Sequence, residues 1–190
     1  MRLLALIGVL AIAGALAAGG FFLGGFFDIS TSWDDPPPVA KAIERARDAS
    51  IARHAIDRPP ADFGSPQRVQ AGARAFSTLG CVNCHGAPGV KWQKFAEGMN
   101  PSPPDLKEAA ADLTPAKVFW VVNHGIRMTG MPAFAGAASD DELWSLAAFV
   151  KKLPDVSDAD FKTWTAPPPA PAPAAAPTPS PAAPAEAPKQ

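Results

Sequence analysis

The sequence predicts an all-α fold, and three observations carry that reading. Three segments between residues 65 and 164 space apolar side chains three or four apart. Each opens on a residue that caps helices well: Ser65-Pro66, Thr114-Pro115 and the Ser139 to Glu142 capping box. No alternating strand pattern of any length competes with them.

The elements follow in chain order. After Arg2 the chain carries no charge from Leu3 to Phe27, a run of 25 residues. Such a run crosses a bilayer core of about 30 Å as a tilted helix. A cleaved signal peptide is the competing reading, and Ala15-Leu16-Ala17 offers small residues for it. Cleavage there would leave Phe21, Phe22, Leu23, Phe26 and Phe27 on a new terminus, so residues 1–28 are expected to be an uncleaved anchor. The Phe cluster and Trp33 suit an interfacial belt on the exit side, and Arg2 favours a cytoplasmic N-terminus.

Residues 29–64 read as a juxtamembrane linker. Pro36, Pro37 and Pro38 stop a helix from continuing out of the membrane. Val39 to about Asp57 is rich in helix formers, and Arg45, Arg47, Arg53 and Arg58 make it basic. Its apolar stripe is weak, which leaves open a solvated spacer, a contact with anionic headgroups or the docking of a partner subunit.

Residues 65–164 hold the expected folded domain, with ten Lys/Arg against ten Asp/Glu. The first helix places Val69, Gly72, Ala73 and Phe76 on one face and ends at Gly80. A second carries Val118, Phe119, Val121 and Val122 as far as Gly125. A third carries Leu143, Leu146, Ala147 and Val150, with Pro154 closing it. Trp120 and Trp144 are expected in the core. From 165 to 190 the composition changes to an Ala/Pro tail, expected to be disordered and extended. The whole-chain net charge of −1 lacks the basic excess of a nucleic-acid binder.

The chemistry concentrates in Cys81-Val82-Asn83-Cys84-His85, which contains the only two cysteines of the chain. Cys-x-x-Cys-His is an attachment pattern for c-type haem. Two thiols add across the two vinyl groups, and the adjoining imidazole reaches the iron. A thioredoxin-like pair needs a βαβ setting, and structural zinc needs four ligands that this chain does not cluster. One covalent haem c is therefore the expected cofactor, and its apolar bulk helps fill the core of a domain of this size. For the other face of the iron, Met131 stands in Gly130-Met131-Pro132-Ala133-Phe134, 46 residues downstream of His85. A thioether paired with imidazole raises the reduction potential, as a carrier needs. Met128, Met99 and His124 are the rivals for that position.

Taken together, these motifs resemble a class I c-type cytochrome, in particular the bacterial monohaem type with an N-terminal membrane anchor. The resemblance runs from about Val69 to Leu153, with the motifs in the family's order. It implies a cytochrome c-like helical domain around the haem, with the first and last helices crossing near Gly72 and Phe76 against Phe149. It implies that Cys81 and Cys84 bind the haem, with His85 and Met131 as the two metal ligands. It also implies that the Pro88 carbonyl holds the His85 imidazole. The chain has no Tyr, so Trp92 or Asn123 would replace any Tyr near the propionates. Lys91, Lys94 and Lys107 either ring the exposed haem edge or are simply solvated.

The functional expectation is a membrane-anchored carrier of single electrons, with the haem domain on the periplasmic side of the inner (cytoplasmic) membrane. Its partners would be the membrane and redox proteins as donor and acceptor, with no nucleic acid and no small-molecule substrate. No acid–base pair suggests an enzyme. The alternatives are a cytochrome c subunit of a membrane-bound dehydrogenase or oxidase complex, and a haem sensor or peroxidase with an open sixth position.

Overall fold

The structure is a computed structural model that describes residues 1–167, so the Ala/Pro tail beyond that point lies outside the described residues. Eight α-helices form among the described residues: α1 (Arg2–Leu23), α2 (Pro37–His54), α3 (Pro66–Thr78), α4 (Val82–His85), α5 (Leu106–Ala109), α6 (Pro115–His124), α7 (Asp140–Lys152) and α8 (Asp158–Thr165). Two short 3-10 turns, Lys94–Gly98 and Leu153–Asp155, join them. The one β feature among these residues is an isolated bridge between Ala87 and Val90.

α1 is long and apolar enough to cross a membrane, and none of its residues is buried against the rest of the protein. At about 1.5 Å per residue it spans roughly 33 Å. The helix stops at Leu23, four residues before the uncharged run ends. Gly24 and Gly25 break it, and Phe26 folds back to donate its N–H to the Phe21 carbonyl. Phe21, Phe22, Phe26 and Phe27 then gather with ring centroids 5.3 to 6.5 Å apart.

The expected caps form. Ser65, Thr114 and Ser139 each accept from the backbone N–H three residues on, at 3.2, 3.3 and 3.3 Å. Each such cap contributes about 1 kcal/mol. They start α3, α6 and α7, which carry most of the core: Val69, Ala73, Phe76, Val118, Phe119, Leu143, Leu146, Ala147 and Phe149 are buried.

α3 and α7 cross so closely that a Cβ on Gly72 would lie 1.9 Å from the Ser145 carbonyl oxygen. Only a hydrogen fits there. Phe76 and Phe149 meet at the crossing, with centroids 5.3 Å apart. Arg68 locks its edge. Its guanidinium reaches Asp62 at 3.0 Å and Asp141 at 2.9 Å, and donates to the Asp141 carbonyl and the Ser145 hydroxyl.

Two features depart from the sequence reading. α8 was absent from it: Ser157 caps this short helix, which packs on α3 and stacks Phe161 on Phe149 at 5.7 Å. Trp120 is only half-buried. Trp144 does enter the core, stacked on Phe119 at 4.1 Å. Trp120 instead stacks between His124 at 4.9 Å and His54 at 5.8 Å. It is the surface on which the end of α2 rests, where Ile51 is also buried. The basic helix therefore touches its own domain at one end.

Candidate functional site

The Cys-x-x-Cys-His segment is built by a break and a restart. Gly80, with φ of +79°, ends α3, and the Cys81 N–H donates back to the Phe76 carbonyl. One helical turn follows, in which Cys84 and His85 both donate to the Cys81 carbonyl, at 3.2 and 3.0 Å. Residues three and four apart share a helix face. Cys81, Cys84 and His85 therefore project to the same side. Gly86, with φ of +65°, stops the turn, and a Cβ there would press on the Val90 carbonyl at 3.0 Å.

His85 Nδ1 lies 2.9 Å from the Pro104 carbonyl. A carbonyl only accepts, so Nδ1 carries the proton and Nε2 keeps its lone pair. An imidazole held in this way is ready to bind a metal through Nε2. Burial lowers the His85 pKa, opposed in part by the Pro104 hydrogen bond and by Asp105. The neutral form is thus favoured, as a ligand requires.

The carbonyl is a correction to the family expectation, which assigned it to Pro88. Gly86 turns the chain into the tight Ala87–Val90 loop, where those two residues exchange backbone hydrogen bonds at 2.8 Å. Pro88 is buried there, on the wall of a second cavity with Phe161. The Pro103-Pro104 loop segment takes its place, with Pro104 lying 19 residues downstream of His85.

Cys81 is buried and Cys84 half-buried, and both are free thiols. Burial pushes the Cys81 thiol up to about 12. Cys84 opens into a cleft of about 290 Å³, which Trp92, Ala96, Pro103, Pro104 and Asp105 help to line.

Met131 is held by a different device. Gly125, with φ of +68°, ends α6, and a Cβ there would lie 2.7 Å from Ala133 N and 2.9 Å from the Met131 carbonyl. The loop then folds back against the helix end. Ile126 donates to the Met131 carbonyl at 3.1 Å, and Phe134 to the Val122 carbonyl at 2.9 Å. The Thr129 hydroxyl accepts from Met131 N–H at 3.1 Å and donates to the Ile126 carbonyl at 2.8 Å. The Met131 side chain is half-buried and packs on the edge of the core.

The rivals sit differently. Met128 occupies the left-handed region at φ of 60° and is 90% exposed. His124 binds its Nδ1 to the Trp120 carbonyl and stacks on that ring. Met99 approaches Gly130, whose missing Cβ would lie 2.8 Å from its sulfur. Of the two propionate candidates, Asn123 donates to Asp140 at 3.3 Å, while Trp92 lines the cleft with Cys84.

The residues fit a covalent haem. Two thiols and an oriented imidazole share one face, and Leu79, Val82, Leu106, Leu113, Met131 and Phe134 lie half-covered at the border of the core. Those side chains offer the apolar wall that a porphyrin needs. No cluster of three or more His, Cys, Asp or Glu side chains suited to a separate metal ion occurs among the described residues.

Comparison with known families adds one finding. Residues 67–150 match the model of the family described as "Cytochrome C oxidase, cbb3-type, subunit III". The matched stretch includes the two cysteines, His85 and Met131. Searches of curated proteins and of solved structures gave no match.

Proposed function

We propose that residues 67–150, which match that family model, form a c-type cytochrome domain of the class I kind, and that the chain is a membrane-anchored carrier of single electrons. Cys81 and Cys84 would attach one haem through their thiols, and His85 and Met131 would hold its iron. α1 holds the domain to the inner membrane, with everything after Asp28 on the periplasmic side.

Bound haem supplies the ferrous/ferric couple, and the protein supplies position and environment. The Pro104 carbonyl keeps the proton on His85 Nδ1 and orients the ring. The Met131 loop, pinned to the end of α6, holds the thioether in one place, which limits rearrangement when charge changes. Held by His85 and Met131, the group would supply electron transfer rather than substrate chemistry.

The observation that carries the reading is the His85 Nδ1–Pro104 bond on the same helical turn as both cysteines. A second reading is a cytochrome c subunit of a membrane-bound dehydrogenase or oxidase complex, and the wording of the matched family favours the oxidase. Purification of the full chain in mild detergent separates them. A free carrier elutes alone with one haem per chain, whereas a stable co-purifying enzyme supports the subunit reading. Rapid carbon monoxide binding to the reduced protein at neutral pH would overturn the carrier reading in favour of a sensor or peroxidase.

A further inference from the structure

Val90-Lys91-Trp92-Gln93-Lys94-Phe95 carries three of the four large hydrophobic side chains exposed between residues 65 and 164; Met128 is the fourth. Val90, Trp92 and Phe95 are 44%, 48% and 59% exposed, and Lys91 and Lys94 between them are exposed as well. Trp92 lines the cleft beside Cys84, but Phe95 is not part of that wall. Large apolar groups interleaved with lysines are the composition of segments that lie in a membrane interface.

Its place in the fold gives the second observation. The Asn100 side-chain amide donates to the Trp33 backbone carbonyl at 3.0 Å. Trp33 lies ten residues after the end of α1, beyond the exposed Phe26, Phe27 and Ile29. That aromatic sequence belongs at the level of the lipid headgroups where α1 leaves a bilayer. The hydrogen bond therefore brings the 94–100 turn to the same level. Lys94–Gly98 is a 3-10 turn, so Phe95 stands within about 13 Å of Asn100.

We propose that residues 90–95 form a second membrane contact, which seats the haem domain on an anionic phospholipid surface beside its own anchor. Val90 and Phe95 enter the interface, and Lys91 and Lys94 meet the lipid phosphates. The inference rests on the reading of α1 as a membrane anchor. The cleft that holds Cys84 takes Trp92 from this stretch and Ala96 and Glu97 from the residues directly after it. The contact thus turns the haem pocket toward the bilayer and selects redox partners seated in the same membrane.

Photocrosslinking of the haem-loaded full chain tests it, in nanodiscs of phosphatidylglycerol and phosphatidylcholine with no other protein present. A benzophenone maleimide is attached to Phe95→Cys, with Lys94→Cys as the replacement if that variant matures poorly. Phe27→Cys reports on the anchor and Asp112→Cys on an exposed site elsewhere. Thioether-bound Cys81 and Cys84 do not react, and peptide mapping assigns each adduct. Lipid adducts at positions 95 and 27 with none at 112 are expected. Adducts at 27 alone overturn the contact while leaving the anchor, and point to a surface for a protein partner. No adduct at 27 or 95 overturns both. Equal yields at 95 and 112 also overturn it, since the domain would then tumble without a preferred face.

Discussion

The two sides of the candidate haem site are held by opposite means. On the His85 side, Cys81, Cys84 and His85 lie within five consecutive residues, on a single helical turn that needs only local hydrogen bonds. One long-range contact, from Pro104, completes it. On the Met131 side no helix presents the thioether. A loop is folded against the end of α6 through the backbone of Ile126 and Phe134 and the Thr129 hydroxyl. The first arrangement is contiguous in sequence and tolerant of movement elsewhere. The second exists only while several distant groups stay in register, and so it is the side on which the site is expected to fail first.

The largest effect is expected from Met131→Ala. Haem attachment through Cys81 and Cys84 survives, but the weak far-red thioether–iron band disappears, the reduction potential falls and the reduced iron binds carbon monoxide. Met128→Ala leaves all three unchanged, since that side chain points to solvent. Loss of the band in the Met128 variant instead would invert the assignment of the distal side.

The two cysteines allow a sharper test of the proximal turn. In the haem-free chain a Cys81 thiol near pKa 12 stays protonated at pH 8. Its thiolate fraction rises only as pH climbs toward that value, so iodoacetamide labels it orders of magnitude more slowly than an unperturbed thiol. Mass spectrometry of the labelled apoprotein reads this directly. Rapid labelling of Cys81 at pH 8 would mean that the turn opens without haem.

A smaller effect is expected at the hinge of the distal loop. Gly125→Ala places a methyl against Ala133 N and the Met131 carbonyl at a positive φ, costing about 2 kcal/mol. Thermal unfolding of the holoprotein measures the loss, and weakening of the far-red band shows that Met131 has shifted. The smallest is Thr129→Val, which removes two hydrogen bonds within the loop and costs about 1 kcal/mol. The proximal spectrum stays as it was in both variants. An equal effect on haem attachment would show that the two sides are coupled rather than independent.

The legibility of each part follows the same division. Ser65, Thr114 and Ser139 announce their helices because a cap acts within three residues. The crossing at Gly72 and Phe76 is foreseen only through the family resemblance, and the structure shows its reason: a Cβ on Gly72 would strike the Ser145 carbonyl. The donor set on the proximal turn is as local as the caps. The carbonyl that orients His85 is not, since it comes from another loop, and any proline nearby satisfies the family pattern on paper. Pro104 had only one signal in advance, the stiff Pro-rich run at 101–104. α8 escaped because its 8 residues carry little periodicity. Trp120 misled because its neighbours on α6 are buried and its own partner, His54, belongs to the linker.

By itself, the sequence determined the chemistry this protein offers and the helices that carry it: two thiols and an imidazole in one turn, a methionine in a glycine–proline loop, and an apolar N-terminal helix. Those depend on interactions within a few residues of the chain. The tertiary structure alone decided which carbonyl holds the imidazole, how Gly125 and Thr129 fix the methionine loop, and that Asn100 ties the domain to Trp33. Each of these is a meeting of groups far apart in sequence, and only packing of the helices against one another brings them within hydrogen-bonding distance.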